Sequence, residues 1–317
     1  MNFLKKLFGV QDAPTDPKQE EEKNFEMFKY DGVRALQQHQ FEYAAKCFDH
    51  ALELNADDLE CRDYLSRACI ATGDLQKAYG QLEVISQAEP DNVAVWLRMA
   101  EVAYMMENYA MMAEACQKAL PLDEENANTY FMYAKACKGL DDAAKAVDLL
   151  TKAIDLHDDF DSARLLRGNV LLESGEPDKA ALDANYLNEH IDGNEDVLLL
   201  TARVEKALGN LQEAEVSYGK VIDANPFSIE AYRERGEVRK ELGDSQGANA
   251  DEAYAREMES NGPVPTEGIE ESIKQKMQQM DPYKVFHNEY PTAPPVPPQS
   301  VIRTKQVNYP KSVIRPK

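Results

Sequence analysis

Basic residues are scarce in this chain. Its 317 residues hold 35 Lys+Arg against 57 Asp+Glu, a formal net charge of −22. Nucleic acids and anionic membranes both need a basic footprint, so neither is expected as the main partner. Cysteine is sparse too. Cys47, Cys61, Cys69, Cys116 and Cys137 are odd in number and form no CxxC pair. That excludes a disulfide framework and fits a reducing, cytoplasmic setting. No stretch reaches the roughly 18 apolar residues of a transmembrane helix. Catalytic signatures are missing as well. His39, His50, His157, His190 and His287 form no HExxH and no Cys/His ligand spacing. There is no P-loop and no GxSxG. The expectation is a protein without catalytic activity, metal or cofactor. Apolar content is not lacking: 43% hydrophobic residues is ordinary for a folded chain.

What the sequence does have is repetition. TGDLQKAYGQLEVISQAEP (72–90) aligns with LGNLQEAEVSYGKVIDANP (208–226), 136 residues downstream, four times 34. A period of 34 from Phe25 gives seven windows without insertion: 25–58, 59–92, 93–126, 127–160, 161–194, 195–228 and 229–262. The eighth position is always small: Gly32, Ser66, Ala100, Ala134, Gly168, Ala202, Gly236. The twentieth is Ala44, Ala78, Met112, Ala146, Ala180, Ala214 and Ala248, and the twenty-seventh is apolar throughout, from Ala51 to Ala255. The fifteenth reads His39, Gly73, Glu107, Asp141, Gly175, Gly209, Gly243. Apolar residues recur at i, i+3, i+4 on either side of that column, as in Leu211, Ala214, Tyr218, Val221 and Ile222. Each window therefore reads as two helices joined by a turn. Glycine at the break suits a left-handed turn residue. Small residues at positions 8 and 20 let the two helices approach closely. Pro90 and Pro226 are expected one residue past the second helix.

In this pattern the chain resembles the tetratricopeptide repeat (TPR) family, whose signature is W-x2-L-G-x2-Y, then A-x3-F, then P. Trp96 and Tyr130 stand in the Trp column, Gly32, Gly168 and Gly236 in the Gly column, and Phe48 and Tyr218 in the Phe column. Met112 in the third window and Glu252 in the seventh depart from the pattern, which marks the seventh as a weak repeat. The resemblance implies an all-α, right-handed α-solenoid of seven helix–turn–helix repeats over 25–262. It also implies a non-catalytic scaffold that binds a protein or peptide in a concave groove. Cys69 and Cys137 share a helix-A column and are expected to be packing residues, not nucleophiles.

In that family positions 2, 5, 9, 12 and 13 of each first helix face the groove. Here they supply Leu97, Glu101, Tyr104, Met105, Phe131, Lys135, Leu165, Asn169 and Leu172, with Arg203 and Lys206 beyond. Aromatic and aliphatic anchors beside polar groups suit peptide capture. For Leu97, Leu165 and Leu172 the alternative is simple packing between neighbouring helices. The family's carboxylate clamp is not expected, because Val33 and Ala94 stand where Asn and Lys are needed.

The ends differ in composition. Residues 1–24 read as a flexible lead-in. Within them Phe3, Leu4, Leu7 and Phe8 surround Lys5 and Lys6. That start is not expected to be a signal peptide. It leaves two readings open, a membrane-touching amphipathic segment or a helix packed on the first repeat. Residues 263–281 are expected to form a capping helix, started by Thr266 and striped with Ile269, Ile273 and Met277. Residues 282–317 read as a disordered Pro-rich basic tail, in which SVIR occurs twice, at 300 and 312. The tail is either a solubilising extension or a paired motif that docks an acidic partner or the chain's own solenoid.

The negative charge is not spread evenly. Positions 29–34 and 1 of the seven windows hold 18 acids and no Lys or Arg. The 35 groove positions hold 9 acids and 8 Lys+Arg. The expected molecule has a neutral groove and an acidic edge.

Overall fold

The computed structural model describes residues 17–260. They form fourteen helices: α1 (Pro17–Gln37), α2 (Phe41–Leu54), α3 (Leu59–Thr72), α4 (Leu75–Ala88), α5 (Val93–Met105), α6 (Tyr109–Ala119), α7 (Ala127–Gly139), α8 (Ala143–Leu156), α9 (Asp161–Glu173), α10 (Pro177–His190), α11 (Glu195–Ala207), α12 (Leu211–Ala224), α13 (Ile229–Glu241) and α14 (Ser245–Ser260). There is no strand among the described residues. Odd-numbered helices are the first of each repeat and even-numbered the second. Each packs on its chain neighbours, and first helices also meet across repeats, α1 with α3, α5 with α7 and α9 with α11. The result is an all-α solenoid. The N-terminal segment around Phe3–Phe8, the expected capping helix and the SVIR tail all lie outside the described residues.

The turn column carries the register. All seven residues at position 15 have positive φ, from 55° at Glu107 to 86° at Gly243. Four are glycines, for which this conformation is free of strain; His39, Glu107 and Asp141 adopt it with a side chain. The next residue caps the second helix in several repeats. Asp74, Asn108 and Asp142 accept backbone N–H bonds from Lys77, Met111 and Lys145 at 3.1–3.3 Å.

The small column lets the helices approach. A Cβ on Gly32 would lie 2.6 Å from the Phe48 ring, and one on Gly168 would lie 2.7 Å from Leu200. Met112, which breaks the alanine column, is nevertheless buried.

Three boundaries differ from expectation. The lead-in ends at Pro17, where α1 begins, eight residues before the first window. Proline at the first helical position loses no hydrogen bond, and Glu20 in the first turn favours the helix N-terminus. The helices α4 and α12 stop two residues before Pro90 and Pro226, at the repeat position where α2, α8 and α10 also end without a proline. In the third repeat Pro121 cuts α6 short at Ala119, leaving one 3-10 turn over Leu120–Leu122.

The core changes character along the chain. One apolar cluster runs from Phe25 to Val170, and two smaller ones serve the later repeats. There, buried ion pairs join the two helices of a repeat. Arg167 forks onto Asp183 (Nε–Oδ2 2.9 Å, Nη2–Oδ1 2.6 Å), and Arg235 onto Asp251 (2.9 and 2.7 Å). The Asp183 and Asp251 side chains are only 2% and 4% exposed. Arg239 also reaches Asp251 at 3.0 Å. This second fork is how the seventh repeat holds together without the aromatic that Glu252 replaces.

The Trp column has a polar task. Trp96 Nε1 donates to the Pro90 carbonyl at 2.8 Å, Arg62 Nη2 to Ala56 at 2.7 Å and Arg164 Nη2 to Asp158 at 2.8 Å. Each bond ties a first helix to the loop six residues upstream, so arginine replaces tryptophan without loss of the donor.

Two outcomes are expected in urea unfolding. Gly209→Ala, whose new Cβ meets nothing within 4 Å, should lose about 1–2 kcal/mol from backbone strain alone, while Glu107→Gly should gain about 0.5–1 kcal/mol. Asp183→Ala should lose about 3–5 kcal/mol by stranding Arg167, whereas Arg167→Met with Asp183→Leu should lose much less.

Candidate protein-binding face

First helices of repeats three to six (α5, α7, α9 and α11) carry every residue singled out from the family pattern. They fall into three groups. Leu97 and Phe131 are half-buried against the long N-terminal cluster, and Leu165 and Leu172 against the cluster of Leu171, Leu187 and Leu200. These four side chains pack the repeats and present only part of their surface.

The second group is already engaged. Arg203 forks onto Glu234 (Nε–Oε2 2.9 Å, Nη2–Oε1 2.9 Å) and also pairs with Glu230. Tyr218 donates its hydroxyl to the same Glu234 at 2.8 Å, and burial holds its phenol far above the usual range. Arg203 is thus a clamp between the sixth and seventh repeats. Lys206 likewise pairs with Glu237 at 2.6 Å. Asn169 donates Nδ2 to the Leu165 carbonyl one turn back, at 2.9 Å.

The third group is open. Tyr104 and Met105 are 42% and 38% exposed at the end of α5. Lys135 Nζ lies 3.9 Å from the Tyr104 ring centroid and 5.5 Å from that of Phe131. Among the described residues Lys135 forms no ion pair, so the two rings are its electrostatic company. Two further rings extend this shelf. Phe160 lies 5.0 Å from Phe131, and Tyr109 lies 6.5 Å from Tyr104. Tyr109 covers Gly139, where a Cβ would sit 2.3 Å from the ring. Phe160 precedes α9 and Tyr109 starts α6, so neither occupies a groove position of the repeat pattern. No periodic signal in the sequence links them to Phe131 and Tyr104.

Glu101 lies in the same region, one turn before Tyr104. It is half-buried, and no described residue bonds it. Burial raises its pKa, an effect only partly offset by Arg98 one turn back. Arg98 itself is turned the other way, into an ion pair with Asp63.

Charges elsewhere on these helices pair across repeats. Lys29 meets Asp58 and Glu60 at 3.0 and 2.7 Å, and Lys138 meets Glu173 at 2.9 Å. Much of the near-neutral count of the sequence is therefore closed pairs, while Glu101 and Lys135 of the third and fourth repeats form no ion pair among the described residues.

The acidic edge is exposed at position 29, where Glu53, Asp155, Glu189, Asp223 and Glu257 all face solvent. At position 34, Asp58, Asn126 and Asn194 cap the following helices at 2.6–3.1 Å.

All five cysteines are free and buried. Burial pushes Cys61 and Cys116 up to about 12 and Cys69 to about 11, which suits packing and not nucleophilic attack. Among the described residues no cluster could hold a metal ion and no helix is long and apolar enough to cross a membrane.

A family model described as the tetratricopeptide repeat matches residues 135–187. That match covers 53 of the 317 residues, within the fourth and fifth repeats. No curated protein matches it in sequence. Among solved structures it is similar to a tetratricopeptide-repeat protein from Parabacteroides merdae, with 15% identity, TM-score 0.60, and coverage of 81% of this chain and 99% of that one. It is also similar to PilF of Pseudomonas aeruginosa, with 17% identity, TM-score 0.52, and coverage of 70% and 99%. A third is a MamA fragment from Desulfovibrio magneticus, with 14% identity, TM-score 0.52, and coverage of 54% and 97%. These likenesses are of fold.

A stability measurement probes the open acid. The folded pKa of Glu101 lies above its unfolded value, so ionising it costs stability as pH rises through that range. Glu101→Gln should therefore be more stable than the parent at pH 7, with the advantage shrinking as pH falls into the carboxylate range. A less stable variant at pH 7 would mean that the carboxylate has a stabilising partner.

Proposed function

We propose that this tetratricopeptide-repeat protein is a non-catalytic cytoplasmic adaptor that holds a protein or extended peptide in the groove of repeats three to five. The observation that carries this reading is the contrast along the first helices. Towards the ends, cations and acids close on one another across repeats. In the middle stand two exposed apolar side chains, Tyr104 and Met105, a ring-bound ammonium and a half-buried acid. Binding energy in such interfaces is concentrated in a few aromatic anchors set among satisfied neighbours. Five free, buried cysteines accord with a reducing compartment.

Tyr104→Ala with Phe131→Ala should abolish partner capture from a native lysate, while Leu182→Ala, at an exposed site on α10, should leave it intact. Capture unchanged by the aromatic pair would move the interface elsewhere on the solenoid.

A further inference from the structure

Glu101 and Lys135 occupy the same position, the ninth, of successive first helices, α5 and α7, which pack on each other. In the sixth repeat that position is Arg203, which spans to the seventh repeat and closes on Glu230 and Glu234. In the second it is Arg67, which closes on Asp63 of its own helix at 2.7 Å. In the fifth it is Asn169, bonded to its own helix. Only in the third and fourth repeats does the column carry ionised groups that no described residue neutralises. One is an acid and the other a base, and beside them stand the exposed Tyr104 ring and the half-buried Phe131 ring.

Removing a carboxylate from water without a partner is costly, and the burial of Glu101 shows that cost in its raised pKa. Lys135 is held against Tyr104 and Phe131 through its ring-facing side. A ring quadrupole stabilises an ammonium without consuming its hydrogen-bond donors, so those donors stay available to a carboxylate.

Resting on the groove reading above, we infer that the ligand is an extended segment bearing one acid and one base of its own. Its carboxylate meets Lys135 and its cation meets Glu101, with an apolar side chain laid on the Tyr104–Phe131 shelf between them. Packed helices lie about 8–10 Å apart. An extended chain advances about 3.3 Å per residue, so the ligand's acid and base should stand two to three residues apart. The order of the two charges fixes the direction in which the segment runs. A wholly acidic tail of the kind a carboxylate clamp takes would be repelled by Glu101, and a wholly basic one by Lys135.

The test is selection from a random linear peptide library displayed on phage, using the full-length chain. The parent should enrich sequences with an acid and a base two to three residues apart around an apolar residue. Lys135→Met should weaken binding of the selected peptides about tenfold, since truncating one partner of a charged contact raises the off-rate. The decisive variant is Glu101→Lys with Lys135→Glu, which keeps the groove's composition and should enrich peptides with the two charges in reversed order. If the swapped variant selects the same peptides as the parent, the charge inference is wrong. If those peptides are still lost in Tyr104→Ala with Phe131→Ala, the groove reading survives. Peptides enriched equally by the parent and that aromatic double variant would overturn both.

Discussion

Every repeat of this solenoid turns on one residue with positive φ. The left-handed turn sends the second helix back along the first, and the pair can bury its apolar stripe only on the adjacent pair. Seven such residues stand 34 apart, and a shift one residue back would put Thr72, Met106, Leu140, Leu208 and Leu242 into a conformation they avoid. The small residues at position 8 then decide how closely the helices sit. Gly32 under Phe48 and Gly168 under Leu200 are contacts that a methyl group would already disturb.

On this frame the protein solves burial in two ways. The first four repeats form a continuous apolar cluster. The later repeats add arginine–aspartate forks between their paired helices. Buried ion pairs of this sort add little net stability over apolar packing, but they are intolerant of losing one partner. They also fix one pairing of helices, because a fork has a single good geometry.

Much of this was legible in the sequence, because helix pairing, turn residue and close contact each leave a mark at a fixed position in every window. The marks at 8, 15 and 20 are local, and the structure places all three as read. What was not legible depends on partners distant in sequence. Arg167 and Asp183 lie sixteen residues apart on different helices, and no periodicity links them. Arg203 stands in a groove column, and its ion pairs with Glu230 and Glu234 of the next repeat leave no mark in the period. Phe160 and Tyr109 joined the aromatic shelf from outside the groove columns. In the Trp column, three of the seven repeats share a donor to the loop carbonyl, supplied by Trp96, Arg62 and Arg164. Pro17 was read as loop because proline punctuates loops, although at a first helical position it is equally at home.

The junctions between repeats are joined in two different ways. The first and last junctions are stapled by ion pairs, Lys29 to Glu60 and Arg203 to Glu230. The junction between the third and fourth repeats is spanned by an ammonium resting on a ring. An ion pair neutralises both of its partners within the chain, whereas a ring holds an ammonium and leaves its charge and its N–H donors available. The third and fourth repeats are thus joined by a contact that keeps its cation.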